Sequence, residues 1–108
     1  MRAIKFRAWE PDNKKMYHPS WSMLALLFDA ASREGIEIMQ FTGLHDKNAK
    51  EIYEGDIVRA RLMKNDNHTY DYEVKFEGGS FIIHRFVLTT YDELEVIGNI
   101  HESPELLK

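Results

Sequence analysis

The residues best suited to hold a metal are five histidines: His18, His45, His68, His84 and His101. A zinc-type site needs ligands spaced to converge, as in HxH, HxxxH or HExxH. No such spacing occurs, and a chain without Cys excludes a Cys-based centre and a disulfide scaffold. The histidines read as surface or core-edge residues, His84 in FIIHRF being a polar tip beside Ile82 and Phe86. Asp46, Asn48 and Lys50 resemble the start of a calcium loop, but Lys50 cannot ligate and Glu51 stands where the sharp turn requires Gly. Asp46, Glu51, Glu54 and Asp56 are dense enough for an acid–base pair in principle; turn chemistry and solvation explain them better. There is no Gly-rich phosphate loop and no nucleophile motif. The expectation is therefore no catalytic residue, no metal and no cofactor. Lys5, Arg7, Trp9, Lys14, Lys15 and Tyr17 remain, basic and aromatic residues interleaved as in surfaces that stack bases and hold phosphates. Trp9 shares a strand face with Lys5 and Arg7, although Trp is more often buried than displayed.

These residues sit on strands. Ala3 to Trp9 alternates Ile4, Phe6 and Ala8 with Lys5, Arg7 and Trp9, a half-buried strand. Glu10-Pro11-Asp12-Asn13 is a turn, and Lys14 to His18 returns antiparallel, ended by Pro19. Residues 20–35 admit two readings. Met23, Leu24, Leu26, Leu27, Ala30 and Ala31 make a helical stripe with Ser22 as N-cap; Leu24, Leu26 and Phe28 also alternate as a strand. Gly35 stops either element. Ile36 to Phe41 alternates as a strand, broken by Thr42-Gly43. Asp56 to Met63, Tyr70 to Phe76, Ser80 to Leu88 and Leu94 to Ile100 are further strands. Gly78-Gly79 joins two of them in a hairpin. Gly98 marks a bulge or a close backbone approach. Pro104 to Leu107 is a short helical or irregular tail. The fold class is mainly β: a small antiparallel curved sheet or SH3-like barrel with an N-terminal hairpin and one candidate helix near residues 22–34.

Between the halves lies QFTGLHDKNAKEIYEGDIV, residues 40–58. Asp46-Lys47-Asn48-Ala49 is a turn in which the Asp carboxylate can accept from the N–H two residues on. Glu54-Gly55-Asp56 is a second break, leading into Ile57-Val58. This stretch resembles the YopX family of phage and prophage proteins. The resemblance rests on residues 42–58, with RAIKFRAW (2–9), KKMYHP (14–19) and EVIGNIHESPELL (95–107) in support. Thr42, Gly43, Leu44, Asp46, Asn48, Glu51, Ile52, Tyr53, Gly55 and Asp56 carry the motif. Ala49 stands where the family commonly has Gly, and His45 where it commonly has Lys. If position 49 takes a positive φ, Ala there costs about 1 kcal/mol. The family pattern over 20–35 resembles strand–turn–strand, which favours the strand reading. What the resemblance implies is phage origin and fold; the family has no agreed activity.

With 108 residues, 1–108 is a single domain, large enough to bury a core without metal or disulfide. The longest apolar run, Met23 to Phe28, is far below the ~20 residues of a membrane span. No signal-peptide pattern opens the chain. The expected location is the bacterial host cytoplasm. Net charge is −4, which opposes general nucleic-acid binding. Residues 1–18 carry Arg2, Lys5, Arg7, Lys14 and Lys15 against Glu10 and Asp12, a balance of +3. Residues 92–108 carry Asp92, Glu93, Glu95, Glu102 and Glu105 against Lys108, a balance of −4. Such ends can attract within one chain or between chains. The functional expectation is a non-enzymatic assembly or interaction protein, a homo-oligomer, with a phage or host protein as a further partner. A small nucleic-acid-binding β domain is the alternative.

Overall fold

The computed structural model describes residues 3–107, the side chains at 21, 27 and 30–34 excepted. It is mainly β and antiparallel, its sheets curled into a half-barrel, with one α-helix. β1 (Phe6–Glu10) and β2 (Lys15–Tyr17) form the N-terminal hairpin, with Trp9 opposite Met16. β3 (Glu37–His45) pairs on the other side of β1, and β4 (Glu51–Tyr53) pairs on β3, giving the order β2-β1-β3-β4. β5 (Asp56–Arg61) lies at the centre of a second sheet, between β6 (Tyr70–Glu73) and β10 (Glu93–Asn99). The third sheet is β7 (Lys75–Glu77), β8 (Ser80–Ile83) and β9 (Phe86–Val87). The core is Ile52, Val58, Ala60, Val74, Ile83 and Leu88, with Leu44, Tyr72 and Leu94 packed against it.

The helical reading of residues 20–35 is the right one. α1 spans Trp21–Glu34. Its cap is Ser20 rather than Ser22: the Ser20 hydroxyl accepts from the Met23 N–H at 3.4 Å while Ser22 lies inside the helix. Gly35 ends it in the left-handed region at φ 71°, where an L side chain is disfavoured. These residues are apolar at both spacings, so periodicity does not separate the readings; the Ser20 cap is the local feature that belongs to a helix alone.

Three strands differ from the expected ones. β3 runs through Thr42-Gly43, with its register shifted between Phe41 and His45 and Gly43 at φ 88°. Residues 70–76 are two strands. Val74 separates them because it pairs with the turn before β5: its N–H donates to Asp56 O at 2.8 Å, and its carbonyl accepts from Gly55 N at 2.9 Å. Residues 80–88 are broken by a tight turn with His84 at φ 57°. His84 is thus a turn residue, stacked on Tyr72 at 5.1 Å. The Gly78-Gly79 hairpin forms as read, with Glu77 opposite Ser80. At Gly98 the register of β10 shifts, and a Cβ would lie 2.9 Å from Ser103 and Leu106, so the glycine lets the 3₁₀ tail Pro104–Leu107 dock.

Candidate functional site

The stretch from residue 42 to 58 is ordered by its own polar groups. The Asp46 carboxylate accepts three backbone N–H groups: Asn48 at 2.8 Å and Lys50 at 2.9 Å through Oδ1, and Val96 at 2.8 Å through Oδ2. Burial alone would raise its pKa, but these hydrogen bonds and the Lys50 charge hold it below the usual value. Ala49 does take a positive φ, 65°. The Lys47 N–H donates to Leu94 O at 2.9 Å, so the turn lies along β10 and covers its edge. Thr42 Oγ1 donates to Ile52 O at 2.7 Å and accepts from the Leu44 N–H at 3.2 Å, bridging β3 and β4. Ile52 then enters the core.

The Glu54-Gly55-Asp56 turn is held from below by β1. Arg7 Nη1 is 2.9 Å from Asp56 Oδ1, with the two side chains only 8% and 3% exposed. Arg7 Nη2 donates to Glu54 O at 3.2 Å, and its guanidinium lies 4.8 Å from the centre of the Tyr53 ring. Asp56 Oδ2 accepts from the Tyr53 N–H at 2.7 Å. Burial pushes the Asp56 carboxyl up, and the Arg7 charge opposes it. Gly55 is obligatory twice over: φ is 86°, and a Cβ would lie 2.9 Å from Met39 Sδ.

Above this turn lies a cleft of about 320 Å³ lined by Arg7, His18, Lys50, Tyr53, Asp56 and Glu102, among others. A second of about 350 Å³ adjoins it and shares His18, Glu51 and Tyr53. Glu51 pairs with Lys5 and accepts from the Tyr53 hydroxyl at 3.2 Å. The Lys5 hydrogen bond lowers the Glu51 pKa. Burial first, then the Glu51 carboxylate, push the Tyr53 phenol up to about 12. The His18 ring meets Tyr53 edge-on at 5.8 Å. The titratable groups of the clefts thus hold strands and turns together. Among the described residues, no group of three or more His, Asp or Glu is placed to hold a metal ion.

The basic and aromatic set of the N-terminal hairpin is divided. Arg7 and Trp9 are buried. The Trp9 ring stacks on His101 at 5.1 Å and 12°, and His101 Nε2 is 2.8 Å from Glu37 Oε2, off the line of a good hydrogen bond. Lys5 is half exposed against Glu51, leaving Lys14, Lys15 and Tyr17 on the surface, with Lys15 Nζ 5.8 Å above the Tyr17 ring. The two ends touch at that ring stack rather than through their opposite charges: among the described residues, Glu93 and Glu95 pair with Lys47, and Glu93 also with Arg61, none of which lies in residues 1–18. Sequence reading located the Asp46 turn. It missed the Arg7–Asp56 pair and the Asp46–Val96 bond, whose partners lie far apart in the chain; the Glu-Gly-Asp turn was the one local signal of the first.

Fold and site together define a small antiparallel β domain built around a pinned internal loop. The chain belongs to the YopX family, whose model, described as YopX protein, matches residues 20–108. It is similar over 100% of both chains to the crystal structure of protein EF1440 from Enterococcus faecalis, at 30% identity and TM-score 0.72. It is also similar over 100% of both chains to protein yopX from Bacillus subtilis, at TM-score 0.63; the 20% identity there shows the fold alone. No curated protein matches the chain. The N-terminal hairpin lies outside the family model's match but within both structural matches.

Proposed function

We propose that this protein is a non-enzymatic interaction protein that works by self-association. The observation that carries this reading is the apolar surface left outside the core. Among the described residues twelve large hydrophobic side chains are exposed, against thirteen hydrophobic residues buried. Single exposed apolar residues are ordinary, but here several follow one another along the chain: Met23, Leu26 and Phe28 on α1, Leu62-Met63 after β5, and Phe86-Val87 in β9. A partner that covers them would add buried apolar surface to a small domain. The absence of catalysis is supported by what the cleft groups do: Arg7, Glu51, Tyr53 and Asp56 each hold backbone or one another. Nucleic-acid binding loses support with the burial of Arg7 and Trp9. The family resemblance implies the expected setting, a phage or prophage gene product, and the bacterial cytoplasm is the location we propose for it. Light scattering at micromolar concentration tests the reading. The expected mass is a multiple of 12.7 kDa; a mass near 12.7 kDa at both low and high salt overturns it.

A further inference from the structure

We propose that the two adjoining clefts form one binding site for a small amphiphilic carboxylate, an aryl or acyl group ending in a single negative charge. The site does not rest on the self-association reading. It is a product of the sheet's curl. In the order β2-β1-β3-β4, β2 and β4 are the outer strands. The His18 ring, one residue beyond β2, nevertheless meets the Tyr53 ring of β4 edge-on at 5.8 Å. The sheet therefore bends until its two edges approach each other. The clefts of about 350 and 320 Å³ join there, both lined by His18, Glu51 and Tyr53. Ligand sites favour the mouths of barrel-like sheets, and each cleft alone reaches the lower end of their usual range, about 300–1,000 Å³.

The two halves differ in chemistry. The first is walled by Ile4, Phe6, Pro19 and Leu24. The second carries Arg7, Lys50, Asp56 and Glu102. Each carboxylate of the lining already has a donor. Glu51 takes Lys5 and the Tyr53 hydroxyl, Asp56 takes Arg7 and the Tyr53 N–H, and Glu102 accepts from Asn99 Nδ2 at 2.8 Å. Lys5 and Arg7 are thereby neutralised. Lys50 is not: its backbone N–H donates to Asp46, but among the described residues its Nζ makes no hydrogen bond or ion pair. His18 touches Tyr53 through its ring face and edge alone, its nitrogens without a hydrogen bond among the described residues. An imidazole offers an N–H in either protonation state.

The side chains left without a partner are thus donors, and they lie in the polar half. A carboxylate held by Lys50 and His18 satisfies them, and an apolar remainder running past Tyr53 fills the other half. One charge suffices, because the Arg7–Asp56 pair beneath is neutral as a unit. A wholly apolar ligand leaves the donors unpaired, and a wholly polar one wastes the apolar walls.

The test titrates isotope-labelled protein with 4-phenylbutyrate, and with 4-phenylbutan-1-ol as the uncharged counterpart, and follows amide chemical shifts. The carboxylate is expected to saturate, moving amides of residues 4–7, 18–20 and 50–53 together. The alcohol should bind about tenfold more weakly, and Lys50→Gln should weaken the carboxylate by a similar factor, roughly the weight of one charge-assisted contact. Lys50→Gln keeps the turn's hydrogen bond, which comes from the backbone of that residue. Phe76→Glu, at an exposed position on β7 that lines neither cleft, should leave both affinities unchanged. Equal affinity for acid and alcohol, or no effect of Lys50→Gln, overturns the proposal. So do shifts that spread to Phe76 and Phe86 or never saturate in the millimolar range, which mark partitioning onto the apolar surface.

Discussion

Asp46 ties its own turn shut and fastens it to β10 with one carboxylate. Half of that was legible in the sequence, because an Asp that accepts from the N–H two residues on is a local event. The bond to Val96, fifty residues away, depends on the fold and leaves no local signal. The Arg7–Asp56 pair is hidden for the same reason. Arg7 alternates with Phe6 and Ala8 and so reads as an outward cation, yet the turn before β5 draws it inside. Such a buried pair sets geometry more than it adds stability, since desolvation offsets much of the attraction. Tyr53 above it gives a measurable consequence. Its folded pKa is raised from 10.0 to about 12, so the stability it supports is intact below pH 10. As pH rises from 10 to 12 the unfolded chain ionises first, and the folded state weakens, by about 1–2 kcal/mol from this group. Denaturant unfolding across that range should show a shallower loss for Tyr53→Phe than for the wild type. Equal slopes would mean that Tyr53 titrates normally in the folded protein.

Among the elements, hairpins were the most legible, because Glu10-Pro11-Asp12-Asn13 and Gly78-Gly79 carry their own turn chemistry. The strand breaks at Val74 and His84 were not, because alternation continues through both and tertiary pairing alone interrupts it. α1 was ambiguous for a physical reason: a segment apolar almost throughout satisfies both periods. The same property leaves part of it uncovered in the folded chain. Ala49 shows where a local rule is broken. Its φ of 65° suits Gly, and its Cβ is accommodated at a cost. Ala49→Gly is therefore expected to stabilise the protein by up to about 1 kcal/mol, read as a rise in thermal midpoint. A fall would show that backbone entropy in the unfolded chain outweighs the relieved strain.

For the whole molecule, the sequence made the β class and the central importance of residues 42–58 visible. It did not show what that stretch is for. In the structure it binds β1, β3, β5 and β10 together, with the Asp46 and Asp56 carboxylates buried at the joints. The division we propose is that the loop builds the domain while exposed apolar side chains, those of α1 among them, take part in self-association. Hydrogen exchange at two protein concentrations tests that division most directly. Amides of residues 21–34 should gain protection as concentration rises, because docking slows local opening of α1. Amides of residues 42–58 should exchange slowly and equally at both concentrations. A gain confined to 42–58, with α1 unchanged, would contradict it and make the loop the working surface.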